Sequence, residues 1–188
     1  MATLPKQESG VPIHPADART TEDDLTRLVA ELFEQHHVAI YNYVYRLTGS
    51  GEWANDLTQE TFLRLFRSRQ KLPGIQNRRA WIYRLASNVT LNAIKRQNRF
   101  SWLPWKERMD DRLNATDSTA KLDQQEQVQQ ALNGIEPKYR APLILYGQYE
   151  LSVREIAEIM EISESNVKVR LHRARKMFRA AYGEVSDG

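Results

Sequence analysis

Apolar residues recur at three- and four-residue spacing along most of this sequence, and nowhere do they alternate long enough to make a strand. From Asp24 onward, Leu25, Leu28, Val29, Leu32 and Phe33 follow that spacing. Val38, Ile40, Tyr41, Val44, Tyr45 and Leu47 extend it to a stop at Gly49-Ser50-Gly51. A second helix over about 52–69 places Trp53, Leu57, Thr61 and Leu65 on one stripe, with Phe62 and Phe66 beside it, and ends in the turn Lys71-Leu72-Pro73-Gly74. A third, from 78 to about 98, turns Trp81, Ile82, Leu85, Val89 and Ile94 inward. Residues 99–120 break the period, with Trp102 and Trp105 followed by Asp110, Asp111 and Asp117. Helical signal returns over 121–132, and Pro137 opens a helix through Tyr139, Leu143, Ile144, Leu145 and Tyr149. The fold class is therefore all-α, with two small helical domains, 22–98 and 121–183, joined by a flexible linker over 99–120. A polar leader holding Pro5, Pro12 and Pro15 occupies 1–21 and reads as disordered, and a short tail occupies 184–188.

The last part of the chain has a finer grain. Ser152-Val153-Arg154-Glu155 is a capping box that opens a short helix carrying Ile156, Ala157, Ile159 and Met160. Ile162 sits in a tight turn, and Ser163 is placed to cap the next helix, which buries Val167, Leu171 and Ala174. A capped helix, a three-residue turn and a second helix make a helix-turn-helix. On the outer side of that second helix Lys168, His172, Arg173 and Lys176 share a face, flanked by Arg170 and Arg175. Such a helix fits a major groove, its early residues at base edges and its later ones at phosphates.

Charge supports a nucleic-acid partner. The net charge of +3 hides large opposed blocks. Residues 1–63 hold 4 basic and 10 acidic side chains, whereas residues 64–108 hold 12 basic and one acidic, Glu107. Residues 109–136 are acidic again by four, and 137–188 are basic by two. A concentration of +11 over 45 residues calls for a polyanion. The chain has no cysteine, which excludes disulfides, thiol catalysis and cysteine-ligated zinc. No apolar run approaches a membrane span, and no signal peptide is evident. No nucleophile–base pair, phosphate-cradling glycine loop or metal cluster is legible; His172 has no second ligand on its face, and no cofactor is expected. On the second helix Asp56, Gln59 and Glu60 recur at i, i+3 and i+4 and form one exposed polar patch.

Asn55-Asp56-Leu57-Thr58-Gln59-Glu60-Thr61-Phe62-Leu63-Arg64-Leu65-Phe66 resembles region 2.2 of the sigma-70 superfamily in its short extracytoplasmic-function (ECF) form. Arg79-Ala80-Trp81-Ile82-Tyr83-Arg84-Leu85-Ala86-Ser87-Asn88 is similar to that family's regions 2.3–2.4, and Leu151 to Lys176 to its region 4.2. The matches fall in the family's order across most of 25–180. The resemblance implies a non-enzymatic, dissociable subunit that brings bacterial RNA polymerase core to particular promoters. It implies docking on a coiled coil of the β′ subunit through Asp56, Gln59, Glu60 and Leu63, with the β flap as a second polymerase partner. It assigns −10 contacts to Lys71, Asn77, Arg78, Arg79, Tyr83, Arg84, Asn88, Lys95, Arg96 and Arg99, with a flipped base captured near the turn 71–77 and Asn88. Trp81, on the apolar stripe, is expected in the core and Tyr83 at the surface. For the −35 element it points to Ser165, Lys168, Val169, Arg170, His172, Arg173, Arg175 and Lys176. Many relatives carry a small hydroxyl residue at Val169, so a methyl contact here would replace a hydrogen bond. The family also implies promoter DNA and an anti-sigma factor as partners, without stable membrane insertion, and a bacterial cytoplasmic location where that partner is able to tether the chain at a membrane.

Two other readings compete. An autonomous helix-turn-helix regulator predicts a palindromic duplex site occupied without polymerase. An enzyme acting on nucleic acid predicts catalytic groups that the sequence does not display.

Overall fold

A computed structural model describes residues 21–100 and 120–186, which form seven α-helices and no strand. They are α1 (Glu22–Thr48), α2 (Gly51–Arg67), α3 (Arg78–Phe100), α4 (Ala120–Asn133), α5 (Pro137–Gly147), α6 (Val153–Met160) and α7 (Glu164–Ser186), with a 3-10 helix at Arg69–Gly74 between α2 and α3. The leader and most of the predicted linker, including Trp102, Trp105 and the aspartates beyond them, lie outside the described residues.

Local chemistry sets the helix ends. A capping box starts α1: Thr21 Oγ1 accepts from the Asp24 N–H at 3.2 Å, and the Asp24 carboxylate accepts from the Thr21 N–H at 3.1 Å. Ser50 caps α2 and Asn77 caps α3, its Oδ1 accepting from the Ala80 N–H at 2.9 Å. At the other end of α1, Gly49 takes φ +69° so that its N–H can donate to Tyr45 O at 2.7 Å. A Cβ at Gly49 would lie 2.9 Å from Asn133 Oδ1, at the end of α4. Gly49→Ala therefore combines left-handed strain with displacement of Asn133 from its bond to Gln129 Nε2. It is expected to lower stability by about 1–2 kcal/mol in thermal unfolding, from the backbone alone.

Helices α1, α2 and α3 pack on one another, as the periodicity predicts, and α4 to α7 form a second group around α7. The two groups are the two helical domains that the sequence predicts, and they are in contact with each other. One continuous set of buried residues runs through both, from Val29, Tyr43 and Leu65 to Leu145, Ile156 and Leu171. Helix α3 packs against α6, and α1 against α4 and α5. The seam is specific: Tyr149 OH donates to Ala39 O at 2.8 Å, Arg46 Nη1 to Gln129 Oε1 at 3.2 Å, and Arg140 Nη1 to Leu47 O at 2.8 Å.

Three tyrosine rings close the middle of the seam. Tyr43 from α1, Tyr83 from α3 and Tyr149 from the α5–α6 connection lie with centroids 5.0–6.0 Å apart. Tyr43 OH also shares a 2.8 Å hydrogen bond with Ser87 Oγ. Burial raises all three phenols; Tyr83 is pushed up to about 12, and the other two move the same way. A phenol whose folded pKa is raised stabilises the fold fully below its unfolded value near 10 and loses that contribution as pH climbs towards 12. In alkaline titration, a fraction of the tyrosinate absorbance from the eight tyrosines should appear only together with loss of helical circular dichroism. A single ionisation step near pH 10 that leaves the helices intact would contradict this.

Candidate nucleic-acid interface

The helix-turn-helix forms as its sequence predicts. Ser152 Oγ accepts from the Glu155 N–H at 3.2 Å, and the Glu155 carboxylate accepts from Ser152 N at 2.9 Å and Oγ at 2.8 Å. These bonds hold the Glu155 carboxyl below the usual glutamate range. Helix α6 buries Ile156, Ala157 and Ile159, and Val167, Leu171 and Ala174 of α7 are buried with them. Ser163 Oγ caps α7 by accepting from the Asn166 N–H at 3.2 Å. The residue that ends α6 is Glu161, at φ +53°, a left-handed position that glycine occupies at least cost.

Around α7, burying Val167, Leu171 and Ala174 leaves the opposite side to solvent. Ser165, Lys168, Val169, His172, Arg173, Arg175 and Lys176 are exposed there, and Val169 is 50% accessible. Arg170, half-buried, donates from Nε to Asn166 Oδ1 at 3.1 Å. Two of the other arginines are oriented by α5: Arg173 Nη1 donates to Tyr139 OH at 3.1 Å, and the Arg175 guanidinium lies 4.9 Å from the centroid of the Tyr146 ring. The result is a helix face with fixed cations and one apolar side chain among them. A face of that kind suits base edges and phosphates.

Helix α3 divides its predicted site residues between two environments. Arg84, Asn88 and Lys95, together with Trp81 and Asn92, follow spacings of 3, 4, 4 and 3 along its outer side. Asn88, Asn92 and Lys95 are exposed, and Trp81 and Arg84 half-buried. Arg96 is exposed beside them, while Arg78 is half-buried with its Nε enclosed and unpaired. The 3-10 helix, anchored by buried Leu72, presents Lys71, and the stretch that follows presents Asn77. The Arg99 side chain falls outside the described residues. Tyr83 reverses its expectation: it is 2% accessible, enclosed by Tyr43 and Tyr149, whereas Trp81 is half-buried on the outer side. The physical reason is that the C-terminal half covers a flank of α3 that the first three helices alone would leave open. Arg79 on that flank donates from Nη2 to Tyr149 O at 2.8 Å, and Arg84 Nη1 pairs with Glu161 Oε1 at 3.5 Å.

On α2, Asp56 and Gln59 are exposed, and Glu60 accepts from Arg64 Nε at 2.7 Å. Leu63 is 43% accessible and Phe66, expected near the core, is also exposed. Phe33 of α1, which follows the same apolar spacing, is exposed, its ring edge-on to Phe62 at 4.9 Å. Together they make an apolar strip beside a polar one. The sequence marked the polar half and Leu63; Phe33 and Phe66 escaped notice because their spacing is the same as that of core residues. Among the described residues no three His, Asp or Glu side chains converge on a metal position, and no helix is long and apolar enough to cross a membrane.

Comparison with known proteins agrees with this arrangement. Residues 32–100 match the family described as Sigma-70 region 2, and residues 125–178 the family described as Sigma-70, region 4. The chain is 34% identical over 155 residues to the ECF RNA polymerase sigma factor SigE of Mycolicibacterium smegmatis, covering 79% of this chain and 59% of that protein, so it spans little more than half the length of that relative. It is 31% identical over 157 residues to the RNA polymerase sigma factor YlaC of Bacillus subtilis, covering 78% of this chain and 87% of YlaC. The ECF sigma factor SigW of the same organism is 27% identical, with 80% and 86% covered. Among solved structures, the sigma factor RpoE of Bartonella quintana, crystallised with the anti-sigma factor NepR, superposes with a TM-score of 0.62 at 19% identity, covering 82% of this chain and 96% of that one. CnrH, solved with the cytosolic domain of CnrY, gives 0.57 at 20%, with 82% and 87% covered.

Proposed function

We propose, from the premise that this chain belongs to the sigma-70 family of RNA polymerase sigma factors in its ECF branch, a division of promoter recognition between α3 and α7. Residues 22–98 act as the unit that docks on polymerase and captures the −10 strand, and residues 121–183 as the unit that reads the −35 duplex. The observation that carries the reading is the pair of separate outward faces on one chain: Lys168, Val169, His172, Arg173 and Lys176 on α7, and Arg84, Asn88 and Lys95 on α3.

On α7, Arg173 is the base-edge candidate because its position is already set by Tyr139, and Val169 offers methyl contact to a thymine. Lys168, Arg170, Arg175 and Lys176 neutralise phosphates, whose contacts position the helix without reading sequence. On α3, Asn88 supplies an amide for an extruded base, and Trp81 rather than Tyr83 supplies the stacking surface in this arrangement. Extruding a base costs a few kcal/mol of stacking, so a positioned amide and an aromatic wall are both needed to offset it. The exposed strip of Asp56, Gln59, Leu63, Phe66 and Phe33 is the docking face for the polymerase β′ coiled coil, with a second contact of the C-terminal half on the β flap. Linking the two DNA-binding faces through polymerase raises the effective concentration of each, so neither has to bind tightly alone. The chain does no covalent chemistry in this scheme. Because the sigma factor RpoE is solved in complex with the anti-sigma factor NepR, an anti-sigma factor in the bacterial cytoplasm is the expected regulator.

The test is transcription in vitro with core polymerase over a promoter library, with and without the chain. Promoter-selective transcripts that need the chain are expected, and their absence with every compatible core would overturn the reading. In the same assay Asn88→Ala should reduce strand opening, followed by permanganate reactivity at the −10 element, more than it reduces closed-complex binding. Equal loss of both would remove Asn88 from base capture.

A further inference from the structure

We infer that the apolar strip of Phe33, Leu63 and Phe66 binds the chain's own leader, through Val11, Ile13 and Pro15, whenever polymerase is not docked there. The inference rests on the reading of that strip as the polymerase docking face and names what competes for it.

Three of the seven large apolar side chains exposed among the described residues lie on this strip, so it is the surface most in need of a cover. Its rings run along the junction of α1 and α2. His37 stacks on Phe33 with centroids 4.8 Å apart, Phe33 meets Phe62 edge-on, and Phe66 follows one turn later on α2. Beyond them, the Arg69 guanidinium lies 4.2 Å from the centre of the Phe66 ring and pairs with Glu22, the first residue of α1. One arginine therefore joins the end of the strip to the point where the leader enters the fold. The residue at that point, Thr21, is extended, with φ −73° and ψ 164°, so the chain leaves the axis of α1 there.

Residues 1–20 lie outside the described residues, and their sequence supplies the match. Beyond Leu4, the large aliphatic side chains of the leader are Val11 and Ile13, in the run Val11-Pro12-Ile13-His14-Pro15. Val11 and His14 each precede a proline, which disfavours helical backbone at both. In an extended run Val11, Ile13 and Pro15 share one face, and Pro12 and His14 share the other. The reach is sufficient. Ile13 is eight residues before Thr21, up to about 28 Å of chain, whereas Phe33 is twelve residues after it, about 18 Å along α1. The leader can thus turn back over residues 16–20 and lay its apolar face on the strip. Glu8 and Asp17 flank the run, and Arg67, exposed at the end of α2, offers either of them a partner. A tether this short gives an effective concentration on the order of millimolar, so even a weak contact occupies the strip. Polymerase, which also engages Asp56 and Gln59, displaces it.

The absence of cysteine allows a single nitroxide label at His14→Cys in the full chain, on the face of the run turned away from the strip. In the free chain, paramagnetic broadening of amide signals should reach the residues around Phe33 and Leu63 and spare α7. Val11→Asp with Ile13→Asp, which leaves every described residue unchanged, should abolish that broadening. The same double variant, unlabelled, should bind core polymerase several-fold more tightly than the parent chain. His14→Asp, a charge placed on the opposite face of the run, should leave polymerase affinity unchanged. No broadening at Phe33, or broadening that survives in the double variant, would overturn the inference. So would broadening seen only between a nitroxide-bearing chain and a separate isotope-labelled one, which would assign the strip to a second copy. Broadening that the double variant abolishes without any gain in polymerase affinity would instead remove the docking reading and leave the leader contact standing.

Discussion

Replacing Arg140 by alanine is expected to lower the unfolding free energy by roughly 3–5 kcal/mol, a loss set by the buried acceptors it strands. Arg140 on α5 is fully buried. Its guanidinium donates to Leu47 O at 2.8 Å, to Asn133 O at 2.7 Å, and through Nε and Nη2 to Ile135 O at 3.1 and 2.9 Å. Leu47 is in the last turn of α1 and Asn133 ends α4, so one cation serves the carbonyl ends of two helices, where the dipoles concentrate negative charge. Burial draws its pKa down to about 10, which still leaves it charged at neutral pH. Alanine would leave these carbonyls in a dry cavity without the guanidinium. Lysine would not rescue, because a single ammonium cannot fork between two helix ends. At roughly 2–4 °C per kcal/mol for a chain of this size, the melting temperature should fall by about 10 °C. A fall of less than 1 kcal/mol in urea denaturation would mean that the carbonyls find water.

Truncating Arg173 to alanine is the second large effect. If the guanidinium makes a bidentate contact to a guanine, its loss should weaken discrimination at one −35 position by about 1–3 kcal/mol, or about 5- to 150-fold. The measurement compares binding by reconstituted polymerase to the preferred −35 sequence and to single-base variants of it. Only one position should lose selectivity. Tyr139→Phe removes the hydroxyl that receives Arg173 Nη1 and should produce a smaller loss at the same position, through orientation alone. A uniform loss across all sequences with a shallower salt dependence would assign Arg173 to a phosphate instead.

Much of this was legible in the residues. The spacing of Leu25, Val29, Leu32, Val44 and Leu47 places one side of α1 in the core, and Ser152, Glu155 and Ser163 mark the helix-turn-helix ends because caps act over three or four residues. The outward face of α7 follows from the burial of Val167 and Leu171 a few residues away. Tyr83, Phe33 and Phe66 were not legible in the same way. Periodicity tells which side chains share a face, yet a helix touched from two directions buries more than one stripe, and a docking face leaves an apolar stripe uncovered.

Arg140 shows the limit most sharply. The carboxylate nearest it in sequence, Glu136, pairs with Lys138 at 2.9 Å, and the groups that meet the buried guanidinium include carbonyls made negative by the helices that end there. The amino-acid order determined the helices, their caps and the cationic face of α7, because those depend on interactions within one or two turns. Tertiary structure alone decided that Tyr149 and Glu161, on either side of α6, would take Arg79 and Arg84, that three tyrosines would meet across the seam, and that the two halves would share a core. Those contacts join residues far apart along the chain, and their energies exist only after the helices have packed.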